Sequence, residues 1–276
     1  MEAIPAFRAL TRGATRLVVD PEFERAAIRV GLLEPGGAEE ILRLAGGATG
    51  RGRIAILALP DRPERLALRP LRHGGVLGPL LRSVYAGTAR PRRELEVTAR
   101  LRAAGAPVPR PVLAVSHRVA GPLYRSVFGT VLEESARDAV AFLDARPARA
   151  DLWLACAAAG TAVRRFHDAG GRHPDLHVKN LLVRERTSGL DVLVIDLDRA
   201  QAGAPPGPAR RMTELMRLHR SLVKRDLLAR VGSRGLARFF GAYTAGDRAL
   251  RRAMRGRLRV ELARTRIHAL SWRGGG

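Results

Sequence analysis

The sequence is short of cysteine, aromatics, lysine and long apolar runs, and each shortage removes a class of protein. The single cysteine among 276 residues, Cys156, allows no disulfide within the chain and suits a reducing compartment. No Cys/His cluster has the spacing of a zinc site. Ser and His never fall into the Gly-x-Ser-x-Gly arrangement of a hydrolase. Aromatics are 4% of residues, too few for a platform that stacks single-stranded nucleic acid. No window approaches the roughly 18 uninterrupted apolar residues of a membrane-spanning helix, and Met1–Gly13 lacks the apolar core of a signal peptide. A soluble, cytoplasmic protein is the expectation.

What is abundant is arginine. Of 49 basic residues only Lys179 and Lys224 are lysines, against 26 acids, giving a formal charge of +23. Abundant Arg, Ala and Gly is also what a biased genomic base composition yields, but the physical consequence is the same. Such a surface attracts nucleic acid, anionic lipid or a phosphorylated glycolipid, and charge alone does not choose among them. A composition of 46% hydrophobic and 27% charged residues describes a folded chain with a core, long enough for one large domain or two lobes.

The most informative stretch is His173-Pro174-Asp175-Leu176-His177-Val178-Lys179-Asn180, followed by an apolar run and then Val192–Val194, Ile195, Asp196. A carboxylate and a carboxamide five residues apart in a polar loop, with a second carboxylate closing a later strand, is the spacing of the protein-kinase catalytic loop. The chemistry requires these residue types. Mg²⁺ prefers hard oxygen ligands, here Asn180 and Asp196, and an attacking hydroxyl needs a nearby base, here Asp175. His167 and His173 read as packing or loop-bracing groups. His177 has two open roles, one facing an acceptor and one structural.

Upstream, residues 1–38 read as a partly irregular extension, with a strand at Arg16–Val19 and a short helix near Pro21–Val30. Glu40–Ala45, a glycine-rich turn and Arg53–Leu59 then predict strand, turn, strand. Gly47, Gly50 and Gly52 in that turn would let the backbone approach nucleotide phosphates, although their order departs from Gly-x-Gly-x-x-Gly. In the next strand Ala67 and Arg69 share a face, the place where kinases set a small residue and a phosphate-binding cation. Arg69 is the preferred cation, with Arg72 as the alternative. Pro91–Ala104 predicts a helix whose first turns hold Glu94, placed to pair with that cation; a first-turn acid is also what the helix dipole alone favours. Strands follow near Val112–Ser116, Leu123–Phe128 and Thr130–Leu132.

After Glu133-Glu134 the pattern turns helical: Ala136–Ala145, Arg149–His167, Met212–Arg230, Gly235–Ala245 and Arg248–Leu270. The expected fold class is α+β, a two-lobed protein-kinase-like fold with an antiparallel β N-lobe over 39–134 and a mainly helical C-lobe over 135–276. A Gly/Pro-rich loop at Gly203–Pro208 replaces a long activation segment, which favours a small-molecule or glycolipid kinase over a regulated protein kinase. The last helix carries an arginine-rich face, which suits either packing with a solvated face or an anionic membrane surface.

With these residues in view the chain resembles the lipopolysaccharide kinase family of Gram-negative bacteria, and most of all its 3-deoxy-D-manno-octulosonic acid (Kdo) kinases. Leu68–Gly75, Arg93-Glu94-Leu95 through Leu101, Gly105–Val112, the His173–Asn180 loop, Ile195–Arg199 and the helical tail from Leu215 carry the resemblance, over about residues 40–245. It implies ATP-dependent phosphorylation of a sugar hydroxyl, Kdo or heptose, in the lipopolysaccharide inner core. Asp175 is then the base, Asn180 and Asp196 hold Mg²⁺, and Arg69 with Glu94 holds the ATP phosphates. The implied partners are a lipid-linked sugar acceptor such as a Kdo–lipid A precursor and an anionic membrane surface, at the cytoplasmic face of the inner membrane. Nucleic acid is not the expected partner. The alternatives are a kinase of the same fold acting on an aminoglycoside-like small molecule or a protein, and a non-catalytic basic module that binds nucleic acid or membrane.

Overall fold

The protein is described here by a computed structural model, over residues 5–44, 54–71, 84–187, 189–258 and 261. The chain divides into two compact units. The first comprises Met1–Ala103 and Pro109–Glu133, the second Ala104–Val108 and Glu134–Gly276.

The first unit is built on one antiparallel sheet. Its elements are β1 (Arg8–Arg12), β2 (Thr15–Val19), α1 (Glu24–Arg29), α2 (Gly37–Leu44), β3 (Ala55–Ala58), β4 (Arg65–Pro70), β5 (Val84–Ala86), α3 (Ala89–Ala103), β6 (Pro111–Ala120) and β7 (Leu123–Val131). The strand order is β1-β2-β6-β7-β4-β3, with β5 also on β7. Alternate residues of each central strand enter two separate cores. Leu17, Val19, Leu66, Leu68, Leu113 and Val115 pack with Phe23, Ala26, Ala27 and Ala38, while Val18, Ala114 and Phe128 pack with Leu95 of α3 and Tyr85. A sheet covered on both faces reads as a continuous apolar run, which is why Val112–Val115 shows no alternation. Each fully buried leucine contributes about 1.5–3 kcal/mol.

Two expectations are corrected in this unit. Residues 8–19 are not part of an extension: β2 pairs with β6 from Thr15↔His117 to Val19↔Leu113 and so belongs to the sheet. The strand expected over Glu40–Ala45 is replaced at Glu40–Leu44 by helix, because α2 spans Gly37–Leu44. Ala38, Ile41 and Leu42 recur at helical spacing and pack on the core. Glu39 and Glu40 suit the positive end of the helix, and Arg43 reaches back to Glu40 with two bonds of 2.9 and 2.6 Å. The glycine turn with Gly47, Gly50 and Gly52, and Arg72 with them, lie outside the described residues.

The second unit contains β8 (Ala136–Asp138), α4 (Ala139–Asp144), α5 (Arg149–Asp168), β9 (Gly171–Arg172), β10 (Leu181–Arg186), β11 (Gly189–Val194), β12 (Gln201–Ala202), α6 (Pro208–Val223) and α7 (Leu228–Tyr243), then a helical run over 248–258. The helix expected over Ala136–Ala145 starts later, at Ala139. Asp138 caps it, its Oδ1 accepting the Val140 and Ala141 amides at 3.0 Å each, so the residues before it are left to pair with β10. The helix expected to run through to Arg230 ends at Val223, where the chain turns through Asp226 in a left-handed conformation. The backbones of α5 and α7 touch: a Cβ on Gly160 would stand 2.2 Å from the Phe239 carbonyl oxygen, so only glycine permits this approach. Among the described residues no helix is long and apolar enough to cross a membrane.

Candidate active site

The loop carrying Asp175 is held at its entrance by geometry that requires glycine. After α5, Gly170 turns in the left-handed region, and a Cβ there would lie 1.7 Å from the Gly203 carbonyl oxygen. β9 then pairs with β12, and the chain enters the loop at His173.

His173 is buried, and its two nitrogens tie the loop together. Nδ1 accepts the Asp175 amide at 3.3 Å and Nε2 lies 3.3 Å from the Ile195 carbonyl oxygen, which fixes the proton on Nε2. Burial lowers its pKa, so the imidazole stays neutral. The bracing role expected for His173 is what these bonds provide.

Asp175 presents a carboxylate whose side chain is 56% exposed, with His177 Nε2 3.8 Å from Oδ2. Asn180, by contrast, is buried at the end of a 3-10 turn, Val178–Asn180. Its Nδ2 donates to the Asp175 carbonyl at 3.0 Å, which turns Oδ1 the other way. The Val178 amide donates to Ser221 Oγ at 2.9 Å, anchoring the turn on α6. The β10–β11 hairpin, in register from Leu181↔Val194, brings Ile195 beside the turn, and the Ile195 amide donates to the Asn180 carbonyl at 2.9 Å. Asp196 follows, exposed and with φ 63°, a sparsely populated region that Asp tolerates better than most residues. Asp175, Asn180 and Asp196 thus project from one closed set of backbone bonds.

Arg69 and Glu94 meet in the first unit. Leu66 and Leu68 of β4 enter the core, leaving Ala67 and Arg69 on the opposite face. From there Arg69 Nη2 reaches Glu94 Oε1 of α3 at 2.6 Å, and its guanidinium stands 5.9 Å from the centre of the Phe128 ring, its register partner on β7.

Sequence reasoning missed Glu214. It is the lone acid of α6, 1% exposed among Met212, Leu215 and Leu218. Its Oε2 accepts the His173 amide at 3.0 Å and lies 3.2 Å from His167 Nε2. A solitary carboxylate on the apolar face of a helix was the available signal. Among the described residues no group of three or more His, Cys, Asp or Glu is gathered to hold a metal. Asn180 Oδ1 and the Asp196 carboxylate are hard-oxygen donors of the kind Mg²⁺ takes when phosphate and water complete its shell.

An Asp-x₄-Asn loop closed onto a hairpin that ends in Asp, in the second unit, and a strand arginine paired to a helix glutamate, in the first, are each features of protein-kinase-like phosphotransferases. The chain belongs to the lipopolysaccharide kinase (Kdo/WaaP) family, whose profile matches residues 43–243. A 3-deoxy-D-manno-octulosonic acid kinase of Mannheimia succiniciproducens is 32% identical over 187 residues, 66% of this chain and 76% of the relative. That of Photobacterium profundum is 34% identical over 186 residues, 66% and 74%. That of Actinobacillus succinogenes is 32% identical over 210 residues, 74% and 81%. A solved structure, WaaP in complex with acyl carrier protein, has the same fold, with a TM-score of 0.58 at 22% identity over 93% of this chain and 98% of that one.

Proposed function

We propose that the protein transfers the γ-phosphoryl group of ATP to a sugar hydroxyl, of Kdo or heptose, in the lipopolysaccharide inner core. The observation that carries this reading is the closed set of bonds around the loop: Asn180 Nδ2 to the Asp175 carbonyl at 3.0 Å and the Ile195 amide to the Asn180 carbonyl at 2.9 Å. That set holds an exposed carboxylate and two further oxygen donors in one rigid frame.

The exposed Asp175 carboxylate accepts the proton of the attacking hydroxyl, so that the sugar oxygen bonds to phosphorus as the bond to the ADP oxygen breaks. Its position is kept by the backbone, because the Asp175 amide is bonded to His173 and its carbonyl to Asn180. Asn180 and Asp196 are the residues that would hold Mg²⁺, which neutralises charge on the transferring phosphates when bound. Arg69, oriented by Glu94, binds ATP phosphate oxygens; its planar, permanently charged guanidinium does the work of the lysine usual in kinases. Gly47, Gly50 and Gly52 are the further candidates for contact with those phosphates. The acceptor is a lipid-linked sugar such as a Kdo–lipid A precursor. The excess of 49 basic over 26 acidic residues favours work at the anionic cytoplasmic face of the inner membrane.

The test is transfer of labelled γ-phosphate from Mg·ATP to a purified Kdo–lipid A precursor by wild type and Asp175→Ala. Wild type transfers label, and the variant turns over about 10²–10⁴-fold more slowly. Transfer at the full rate by Asp175→Ala would overturn the assignment of the base.

A further inference from the structure

We infer that Tyr243 and His167 are positioning residues for Asp175, acting through Glu214 and His173. The inference rests on the reading of Asp175 as the base. Tyr243 is the last residue of α7 and is fully buried, as is His167 near the end of α5. The tyrosine hydroxyl lies 2.7 Å from His167 Nδ1, and His167 Nε2 lies 3.2 Å from Glu214 Oε2. Glu214 Oε2 accepts the His173 amide, and His173 Nδ1 accepts the Asp175 amide. Four side chains from three helices and the loop therefore form one series that ends on the residue that does the chemistry.

The contacts give the series a direction: with Nε2–H of His167 directed at Glu214 Oε2, Nδ1 accepts from the tyrosine. Burial keeps His167 neutral, and it pushes the Tyr243 hydroxyl up to about 12, so the phenol keeps its proton to donate. Without the tyrosine donor, Nδ1 becomes a buried acceptor with nothing to accept. The ring then shifts from its present seat, its bond to Glu214 weakens, and the hold of Glu214 on the His173 amide, two residues from Asp175, loosens. Tyr243 thus fixes the ring orientation that keeps Glu214 in place, as an outer partner does for a metal-binding histidine.

A packing role alone predicts something different. Tyr243 also stacks on Phe239, with ring centres 6.3 Å apart and planes at 9°, and Tyr243→Phe keeps that contact while removing the hydroxyl, which also interacts with Arg211. The experiment measures kcat, the KM values for ATP and acceptor, and hydrogen exchange over residues 171–180. It uses the full-length enzyme as wild type, Tyr243→Phe, Glu214→Gln, the double variant and Asp175→Ala. The expected result for Tyr243→Phe is a fall in kcat of roughly five- to tenfold, both KM values within about twofold, and faster exchange across the loop. In the Glu214→Gln background Tyr243→Phe costs nothing more, because the series is already cut. An unchanged kcat and unchanged exchange in Tyr243→Phe would overturn the inference, and so would a loss that multiplies in full in the double variant. If Glu214→Gln does not fold, exchange in Tyr243→Phe decides alone. Full activity in Asp175→Ala would overturn the assignment of the base instead, whereas activity lost there and intact in Tyr243→Phe overturns this inference only.

Discussion

Arg69 Nη2 stands 2.6 Å from Glu94 Oε1, and the two ends of this ion pair differ sharply in exposure, 30% for the arginine side chain and 1% for the glutamate. The buried end bears on stability, and the more exposed end is the one proposed to meet ATP phosphate. Replacing Arg69 with Met takes the guanidinium from a buried carboxylate and is expected to lower unfolding free energy by about 3 kcal/mol, measured by urea denaturation. Adding Glu94→Leu removes the buried charge and recovers most of that loss, but Mg·ATP affinity by titration calorimetry stays weak. Recovery of both together would mean that Arg69 serves only the fold.

Cys156 yields a prediction with a definite sign. Burial pushes its thiol up to about 11 from an ordinary value of 9.0. At a given pH below 9 the native protein therefore holds about a hundredfold less thiolate than the unfolded chain, and iodoacetamide labels it correspondingly slowly. Because the native state keeps its proton where the unfolded state loses it, this group's contribution is complete below pH 9 and is lost as pH rises from about 9 to 11. With a single thiol in the chain, the labelling rate reads unfolding directly. Native labelling as fast as in denaturant would show that Cys156 is not shielded.

The contrast between what the sequence showed and what it hid follows from range. Asp175, Asn180 and Asp196 were legible because loop spacing and the apolar β10 and β11 runs are local signals, and Arg69 and Glu94 followed from strand parity and helix position. The run Glu40–Leu44 misled because so few residues fit either period, and only packing on Phe23 and its neighbours decides for the helix. Glu214 and Tyr243 were hidden because their partners lie 47 and 76 residues away from them at His167. No periodicity records such a contact. The loop's internal bonds, from His173 to Ile195 and from Asn180 to Asp175, were equally invisible, although the residues that make them stood out.

Asn180 separates two roles that usually fall together. Its Nδ2 donates to the Asp175 carbonyl at 3.0 Å, and its Oδ1 is the atom proposed to hold Mg²⁺. Asn180→Asp keeps an oxygen for Mg²⁺ and adds charge beside Asp196, so the metal is expected to bind at least as well. It also removes the N–H and sets a carboxylate oxygen against the Asp175 carbonyl, leaving that acceptor without its donor, at a cost of about 1–3 kcal/mol. Turnover is expected to fall about ten- to hundredfold, with no recovery as Mg²⁺ is raised. Asn180→Ala, which loses the oxygen as well, is expected to need more Mg²⁺ for half-maximal rate. Initial rates across a Mg²⁺ series distinguish the two. If Asn180→Asp turned over at the wild-type rate, the amide would matter only for its oxygen, and the bond to Asp175 would play no part in placing the base.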